Sequence, residues 1–574
     1  MATSGHNPAD CDVLVIGSGA GGMAAAVTAA MHGLKVIVAE KEPVFGGAAA
    51  WSGGWIWVPG NPLARRAGFD DAPEGPFTYL RNELDAHFDA RRVRAFLQAA
   101  PAMVEFFHHR TDLQFVDGNG IPDMHSWTEG AATGGHQVCA APIDGRSLGP
   151  LFDKLRRPMR ETAFMGMPIM AGQDLAAFMT ATRSVRSAVH VARRMGRHLI
   201  DLAVWGRATQ LVNGNALIAR LGLSASRAGV DIRVSCAAKE LIRRDGNIVG
   251  AVVEERCGNR TIHARCGIVL ATGGFPHDEK RWQEIAGNSH APKQHWSVAP
   301  TSASGDGLRL GEGVGGKVDI SLASQAAWCP VSLVPYRDGT IGRFPHIIER
   351  AKPGIIAVLA NGRRFVNEAN GYYDYVDAMI RAVPPGAEVA SWLICNRSFQ
   401  RRYGLGISRP APVPVKPYLK SGYIKRGETI GDLASACGID ASGLEETVAE
   451  YNRHAVNGED PLFGRGSTAF NRKGGDADVK PNPCVAPIAR GPFYAVKVLP
   501  GSFGTFMGLM TDEYAAVLNE NGKPIAGLYA AGADMSSIMG GFYPSGGINL
   551  GPAMTFGYIA GLQLVARSAA SPGF

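Results

Sequence analysis

The stretch Asp12-Val-Leu-Val-Ile16-Gly17-Ser-Gly19-Ala20-Gly21-Gly22 decides the fold. Residues 12 to 17 are a continuous apolar run of the kind buried on both faces of a parallel sheet. The small-residue stretch that follows, closed by Gly33, has a helix's composition, and Lys35-Val-Ile-Val-Ala-Glu40 is a second strand ending in an acid 18 positions after Gly22. This is a complete βαβ context and not a bare glycine pattern. Gly17 makes the turn, and Gly19 lets a pyrophosphate reach the helix amides that begin at Ala20. Gly22 lets helix and strand pack closely, and Glu40 accepts the adenosine ribose hydroxyls.

The residues after Glu40 choose between a nicotinamide and a flavin. Lys41 leads into Phe45-Gly46-Gly47-Ala48-Ala-Ala-Trp51-Ser52-Gly53-Gly54, a long small-residue loop with no second alternating βα unit. A nicotinamide domain would continue the alternation. A flavin's pyrophosphate, ribityl chain and flat ring need an extended groove of backbone donors. Two distant pieces agree. Residues 230 to 274 read as short strands around a DG turn and end in the buried strand leading to Ala271-Thr272-Gly273-Gly274, and residues 527 to 534 form another strand that stops at Gly532 with Asp534 two positions on.

Composition sets the outer limits. The chain has 574 residues, 46% hydrophobic and 19% charged, the profile of a globular protein with a large core. Its 73 glycines are close to twice the usual share of about 7% and cluster where a backbone must approach a large ligand. Nine cysteines without a CxxC pattern read as reduced thiols in a cytosolic protein, and no metal site is expected. The N-terminus lacks a leader pattern and no apolar window is long enough to span a membrane. Residues 154 to 207 carry ten Lys and Arg against three acids, which equals the whole-chain net charge of +7. The remainder is balanced, so a nucleic-acid surface is not expected, and the basic feature is local.

In order, these glycine motifs resemble the FAD-linked group that contains the fumarate reductase and succinate dehydrogenase flavoproteins and the 3-ketosteroid dehydrogenases, over nearly the whole chain. Residues 302 to 316 (SASGDGLRLGEGVGG) and 359 to 368 (LANGRRFVNE) are typical of the group. The resemblance implies an α/β fold: a Rossmann-like FAD-binding domain, residues 1–278 and 497–574, interrupted by an α+β catalytic cap, residues 279–496. The basic helical excursion near 154–207 belongs to the first part. The covalent flavin histidine of the succinate dehydrogenase branch has no counterpart in residues 46 to 54, so FAD is expected to be non-covalent.

Within the group, residue types near the flavin speak to the substrate. Fumarate reductases carry a proton-donating Arg shortly after the NE of the RFVNE motif. Here Tyr372 stands at the spacing of the base tyrosine of the ketosteroid dehydrogenases. The segment Phe542-Tyr543-Pro544-Ser545-Gly546-Gly547-Ile548-Asn549-Leu550 resembles the 1-dehydrogenase stretch whose tyrosine hydroxyl and glycine amide hold the steroid C3 carbonyl, and these roles fall on Tyr543 and Gly547. Two neutral donors suit the enolate oxygen that forms when the adjacent proton leaves. Asn549 and Leu550 open a helix aimed at the flavin ring.

Two departures keep regiochemistry open between Δ1 and Δ4. The helper tyrosine of the 1-dehydrogenases is missing from residues 122 to 129, where His125 or Trp127 occupies the space, and Tyr543-Pro-Ser545 is similar to the Tyr-x-Ser of the 4-(5α)-dehydrogenases. Trp55, Trp127 and Phe542 are expected in the substrate pocket. The implied activity is desaturation of a 3-ketosteroid next to its ketone, with Tyr372 as base and an external quinone- or dye-like electron acceptor. The alternative is a reductase of an activated C=C. The basic segment, with Arg183, Arg186, Arg193, Arg194 and Arg197 beside an apolar stripe, is expected to touch a membrane surface peripherally from the cytoplasmic side.

Overall fold

The computed structural model describes residues 9–69, 73–118, 120–287, 292 and 294–570. The N-terminal residues 1–8, read above as part of a leaderless start, lie outside the described residues. The first sheet is built on parallel strands in the order Pro524–Ala530, Gly258–Leu270, Cys11–Ile16, Val36–Glu40, Asp231–Val234, with Ala516–Leu518 antiparallel at one edge. The register is what builds a site. Ile16 pairs with Leu270 and Ala39, and the ladder continues one step as Ala271 N–H donates to the Ile16 carbonyl (2.8 Å) and Ala531 N–H to the Leu270 carbonyl (2.9 Å). Gly17, Thr272 and Gly532, far apart in sequence, therefore leave adjacent strands at the same carboxyl edge, where open α/β sheets bind ligands. A hairpin from Ala237–Arg244 to Asn247–Glu255 extends the sheet through Asp245 and Gly246, both at positive φ (49° and 79°), the two-residue turn that Asp-Gly favours.

Helix Ala20–Met31 packs against the C-terminal helix Leu550–Ala570 through glycine faces. A Cβ on Gly557 would stand 2.3 Å from the Gly21 carbonyl oxygen. The last helix is thus locked onto the first, and its N-terminus is delivered to the edge where Gly17 and Thr272 emerge.

The second sheet is antiparallel, in the order Ile341–Pro345, Ala326–Pro335, Phe493–Thr505, Ser391–Asn396, Ile355–Val358. The expected division at 496/497 falls inside the strand Phe493–Thr505, which stays in this sheet until Ala326 pairs with Thr505. The division expected at 278/279 also cuts across packing. Helix Asp306–Glu312 rests on the strand Ala237–Arg244 of the first sheet, and Val318–Asp319 pairs with Gly508–Leu509. Trp296–Ser297 already pairs with Gly501–Ser502 of the second sheet, so the two parts of the chain interleave between residues 296 and 319.

The basic segment contains the helix Val185–Trp205. Its inward side is polar: Arg194 donates to the Pro168 carbonyl (2.9 Å), His198 meets the Met165 carbonyl (3.0 Å), and Asp201 accepts from the Thr209 N–H and hydroxyl (3.1 and 2.9 Å). Val185 is 82% exposed, and Val189, Leu199, Ile200, Val204 and Trp205 also face outward. Among the described residues no helix is long and apolar enough to cross a membrane.

Candidate active site

The nucleotide end is shaped by steric demands that only glycine meets. A Cβ on Gly17 (φ 105°) would lie 2.2 Å from the Ala271 carbonyl oxygen, and one on Gly22 would lie 2.2 Å from the Gly17 oxygen. Gly19 differs. It caps helix Ala20–Met31 with no side-chain cap bond, and a Cβ there would meet nothing within 4 Å. Glu40 is buried at the end of its strand and accepts from the Ser18 N–H (3.2 Å) and the Glu42 N–H (2.9 Å). Lys41 pairs with Asp306 and donates to the Ser304 hydroxyl (3.0 Å). Gly46 (φ 123°) and Gly47 (φ 52°) then turn the chain into the short helix Ala48–Trp51, where Ser52 hydrogen-bonds back to the Ala49 carbonyl (2.7 Å). Gly53 is open on its side-chain face except for the Trp55 ring, whereas Gly54 (φ 74°) packs on the Asn213 backbone.

Asp534 closes the sheet edge from the far end of the sequence. Its buried carboxylate accepts from the Thr272 N–H (2.5 Å), the Thr272 hydroxyl (2.9 Å) and the Gly274 N–H (2.9 Å). Burial pushes this carboxyl above its ordinary value while those donors oppose the rise. Gly273 (φ 101°) lies between the two anchored residues, and Gly532 (φ 68°) backs onto Gly21.

The catalytic candidates meet where the two sheets join. Tyr372 opens the helix Tyr372–Ala382, and its ring stands edge-on to Tyr543, centroids 4.8 Å apart at 76°, and to Phe503 at 5.1 Å. Both tyrosines are buried. Burial, followed by the charge and hydrogen bond of Tyr543, pushes Tyr372 well above the ordinary tyrosine value. Burial also raises Tyr543, and its hydrogen bond with Tyr372 acts the other way. Asn549 donates to the Tyr543 hydroxyl (3.3 Å). Gly547 (φ 95°) is pinned because its carbonyl accepts from the Trp57 N–H (3.2 Å), and a Cβ there would lie 2.7 Å from that nitrogen. Among the described residues no protein group accepts from the Gly547 N–H. Leu550 starts the helix that this loop introduces.

Ser545, expected among the catalytic residues, is fully buried under the loop, accepting from the Gln137 amide (3.0 Å) and hydrogen-bonded to Asp123, so its hydroxyl supports the loop. Asp123 is the centre of that support: it also accepts from Trp57 Nε1 (3.0 Å), the Ala132 N–H (2.9 Å) and His136 (2.9 Å). Ser545→Ala is expected to cost about 1–3 kcal/mol of stability by leaving buried partners unpaired, with turnover within a few-fold of the parent. Thermal denaturation and steady-state rates on the same sample check both halves.

The pocket residues divide. Trp55 adjoins Gly53 and the Gly547 backbone, and Phe542 is half-buried against His87, ring centroids 5.9 Å apart. Trp127 is 57% exposed and stacks on His125. His125 is clamped between Glu83 and Asp374 (3.1 Å). Burial works against its charge, but Asp374 and Glu83 outweigh it and lift the imidazole to about 10. It ties the loop to the Tyr372 helix through Asp374.

A family model described as an FAD binding domain matches residues 12–550. The chain belongs to this FAD-binding family. The flavoprotein is 40% identical to a 4-oxocyclohex-2-ene-1-carboxylate 5-dehydrogenase of Sinomonas cyclohexanicum, over 98% of this chain and 94% of the relative. It is 34% identical to a 3-oxosteroid 1-dehydrogenase of Mycolicibacterium smegmatis over 98% of both chains. A solved 3-ketosteroid delta1-dehydrogenase from Sterolibacterium denitrificans, in complex with 1,4-androstadiene-3,17-dione, superposes with a TM-score of 0.89 at 34% identity, covering 97% of this chain and 99% of that one. The flavoprotein is thus an FAD-dependent oxidoreductase of the fumarate reductase group whose relatives act on CH–CH bonds.

The residues fit FAD. The uncapped helix start at Gly19, with room beside it, suits a pyrophosphate, and Glu40 and Lys41, at the end of the neighbouring strand, would hold the adenosine end. Beside Lys41 a cavity of 390 Å³ is lined by Ala237, Ala238, Asp306, Arg309 and Leu310. Phe503 and Phe506 form an aromatic wall around Tyr543 that motif spacing does not single out. The glycine-spaced aromatics of Phe503-Gly-Thr-Phe506 were the available signal.

Proposed function

We propose that this flavoprotein desaturates a ring ketone between the carbons α and β to the carbonyl, in the manner of the 3-ketosteroid 1-dehydrogenases. The observation that carries the reading is the buried Tyr372–Tyr543 contact next to the unshared Gly547 N–H. Tyr543 and the Gly547 amide hold the ketone oxygen, where negative charge develops as the α-proton leaves. Tyr372 accepts that proton on its phenolic oxygen. FAD, bound without a covalent link, would supply the two-electron acceptor, with an external quinone- or dye-like compound as its oxidant. The burial of Ser545 favours the Δ1 geometry over a relay through that hydroxyl. A monocyclic substrate is the second reading, favoured by the 40% identity to a dehydrogenase of an oxocyclohexene carboxylate. Anaerobic mixing of the yellow protein with a 3-ketosteroid and, separately, with 4-oxocyclohex-2-ene-1-carboxylate decides between them. Bleaching of the flavin by the 3-ketosteroid is expected under the first reading, and bleaching by the monocyclic ketone alone under the second. No bleaching by any saturated ring ketone, together with fast reoxidation by an enone, would turn the reading toward a reductase.

We further infer peripheral contact with an anionic membrane through the helix Val185–Trp205. Its outward apolar residues lie beside Arg186, Arg193 and Arg197, the arrangement of a helix that settles at a lipid interface and meets a sparingly soluble substrate there. Co-flotation with liposomes containing anionic lipid is expected at low salt. It should weaken at about 0.5 M salt and in a variant with all three arginines replaced by Gln. Absence of binding at low salt would sink the idea.

A further inference from the structure

Three arginines are buried around the loop that delivers Tyr372, and they are satisfied differently. Arg364 is paired with Glu368 (2.8 Å) and Asp460 (2.7 Å), and Arg465 with Glu368 (3.1 Å). Arg350, 2% exposed, has no ion-pair partner among the described residues. Its guanidinium donates only to backbone oxygens, those of His346 (2.7 Å), Glu368 (2.7 Å) and Asn370 (3.2 Å). The neighbouring Glu349 is turned to His346 (2.6 Å), and the Glu368 carboxylate is taken by the other two arginines. A full charge in the interior whose nearby carboxylates, Glu349 and Asp374, are bonded to His346 and His125 is costly to hold.

What it adjoins is the helix of the candidate base. The guanidinium carbon lies 5.2 Å from the ring centre of Tyr375, one turn beyond Tyr372 on the same helix face, and Asn370, whose carbonyl it holds, is two residues before Tyr372. We propose that Arg350 is a positioning residue whose fixed cation, seated on the Glu368–Asn370 carbonyls, stabilises the phenolate of Tyr372 from which proton abstraction starts. The proposal rests on the reading of Tyr372 as base. The groups that bear on Tyr372 are Tyr543, Cys329 and Arg350, and those that bear on Arg350 are Tyr375, Glu349, Cys329 and Asp374. Burial, Tyr543 and Cys329 all disfavour the Tyr372 phenolate, and Arg350 opposes them. Its cation also favours a base that carries negative charge before the step and is neutral after it.

The test is the pH dependence of kcat and kcat/KM for the FAD-loaded parent, Arg350→Gln and Arg350→Lys with whichever ring ketone bleaches the flavin. Tyrosinate absorbance is titrated in each protein against the same protein carrying Tyr372→Phe. Arg350→Gln is expected to move the rising limb and the Tyr372 titration together to higher pH by about one unit, a loss of about tenfold at pH 7 that closes as the pH rises. A merely structural role would give the same loss at every pH with the Tyr372 titration unmoved, and that result overturns the proposal. Arg350→Lys keeps the charge and stands as the test if Arg350→Gln fails to retain FAD. Its limb and titration should stay within about half a unit of the parent's, and a larger displacement overturns the proposal. Full activity in Tyr372→Phe removes the base reading and this proposal with it. Failure of Arg350 alone looks different, with Tyr372→Phe inactive and Arg350→Gln keeping the parent's limb.

Discussion

Tyr372→Phe and Tyr543→Phe each lower turnover about 100-fold or more while FAD content stays at the parent level, the range expected for loss of a general base or an oxyanion donor. Each change removes one hydroxyl and keeps the ring, so the ring contacts among Tyr372, Tyr543 and Phe503 persist. The two losses differ in character. Without the Tyr372 hydroxyl the rising limb of the rate against pH disappears, because the titrating group is gone. Without the Tyr543 hydroxyl the limb remains, and the loss lies in kcat, since the hydrogen bond to the ketone oxygen strengthens as charge develops there. Because the two hydroxyls interact, the double variant should lose less than the product of the single losses. Steady-state rates across pH, with flavin absorbance read on the same samples, measure all three. Near-parental turnover in both single variants, on every ketone the parent oxidises, would overturn the assignment of the site.

The features that were legible in the sequence are those whose causes are local. The βαβ unit could be read because Gly17, Gly19 and Gly22 each answer a constraint set within a few residues. The Asp-Gly turn at 245–246 could be read for the same reason. Placing Tyr372, Tyr543 and Gly547 depended on their spacing from motifs and not on any property of the residues themselves. What stayed hidden depends on contacts distant in sequence. The strand Phe493–Thr505 joins partners at 326–335 and 391–396, so nothing near residue 497 announces that the inserted sheet continues. Ser545 is two residues from Tyr543 and looks equivalent in sequence. Its hydroxyl is bonded to Gln137 and Asp123, more than 400 residues earlier, which spacing cannot show. The amphipathic character of Val185–Trp205 was visible, but periodicity cannot say which face is inward. Asp201, His198 and Arg194 find polar partners inside, and the apolar face is left outside.

A pair of glycine substitutions separates what the fold needs from what the ligand needs. Gly22→Ala should fail to give folded protein, because its Cβ would stand 2.2 Å from the Gly17 carbonyl oxygen and 3.1 Å from the Ala271 side chain, where strand and helix backbones have no room to give. Gly19→Ala places the same methyl group three residues earlier, at ordinary helix-cap angles (φ −70°, ψ −178°), and it meets no protein atom within 4 Å. Its apo form should therefore melt within about 1 kcal/mol of the parent, since the protein itself pays little for that methyl. FAD affinity should nonetheless fall about tenfold or more, because the methyl stands where a pyrophosphate must approach the uncapped amides at the start of Ala20–Met31. Thermal melting of the deflavinated proteins and titration with FAD give the two numbers independently. Unchanged FAD affinity in Gly19→Ala would mean that the phosphates do not sit at this helix end, whatever the effect of Gly22→Ala on folding.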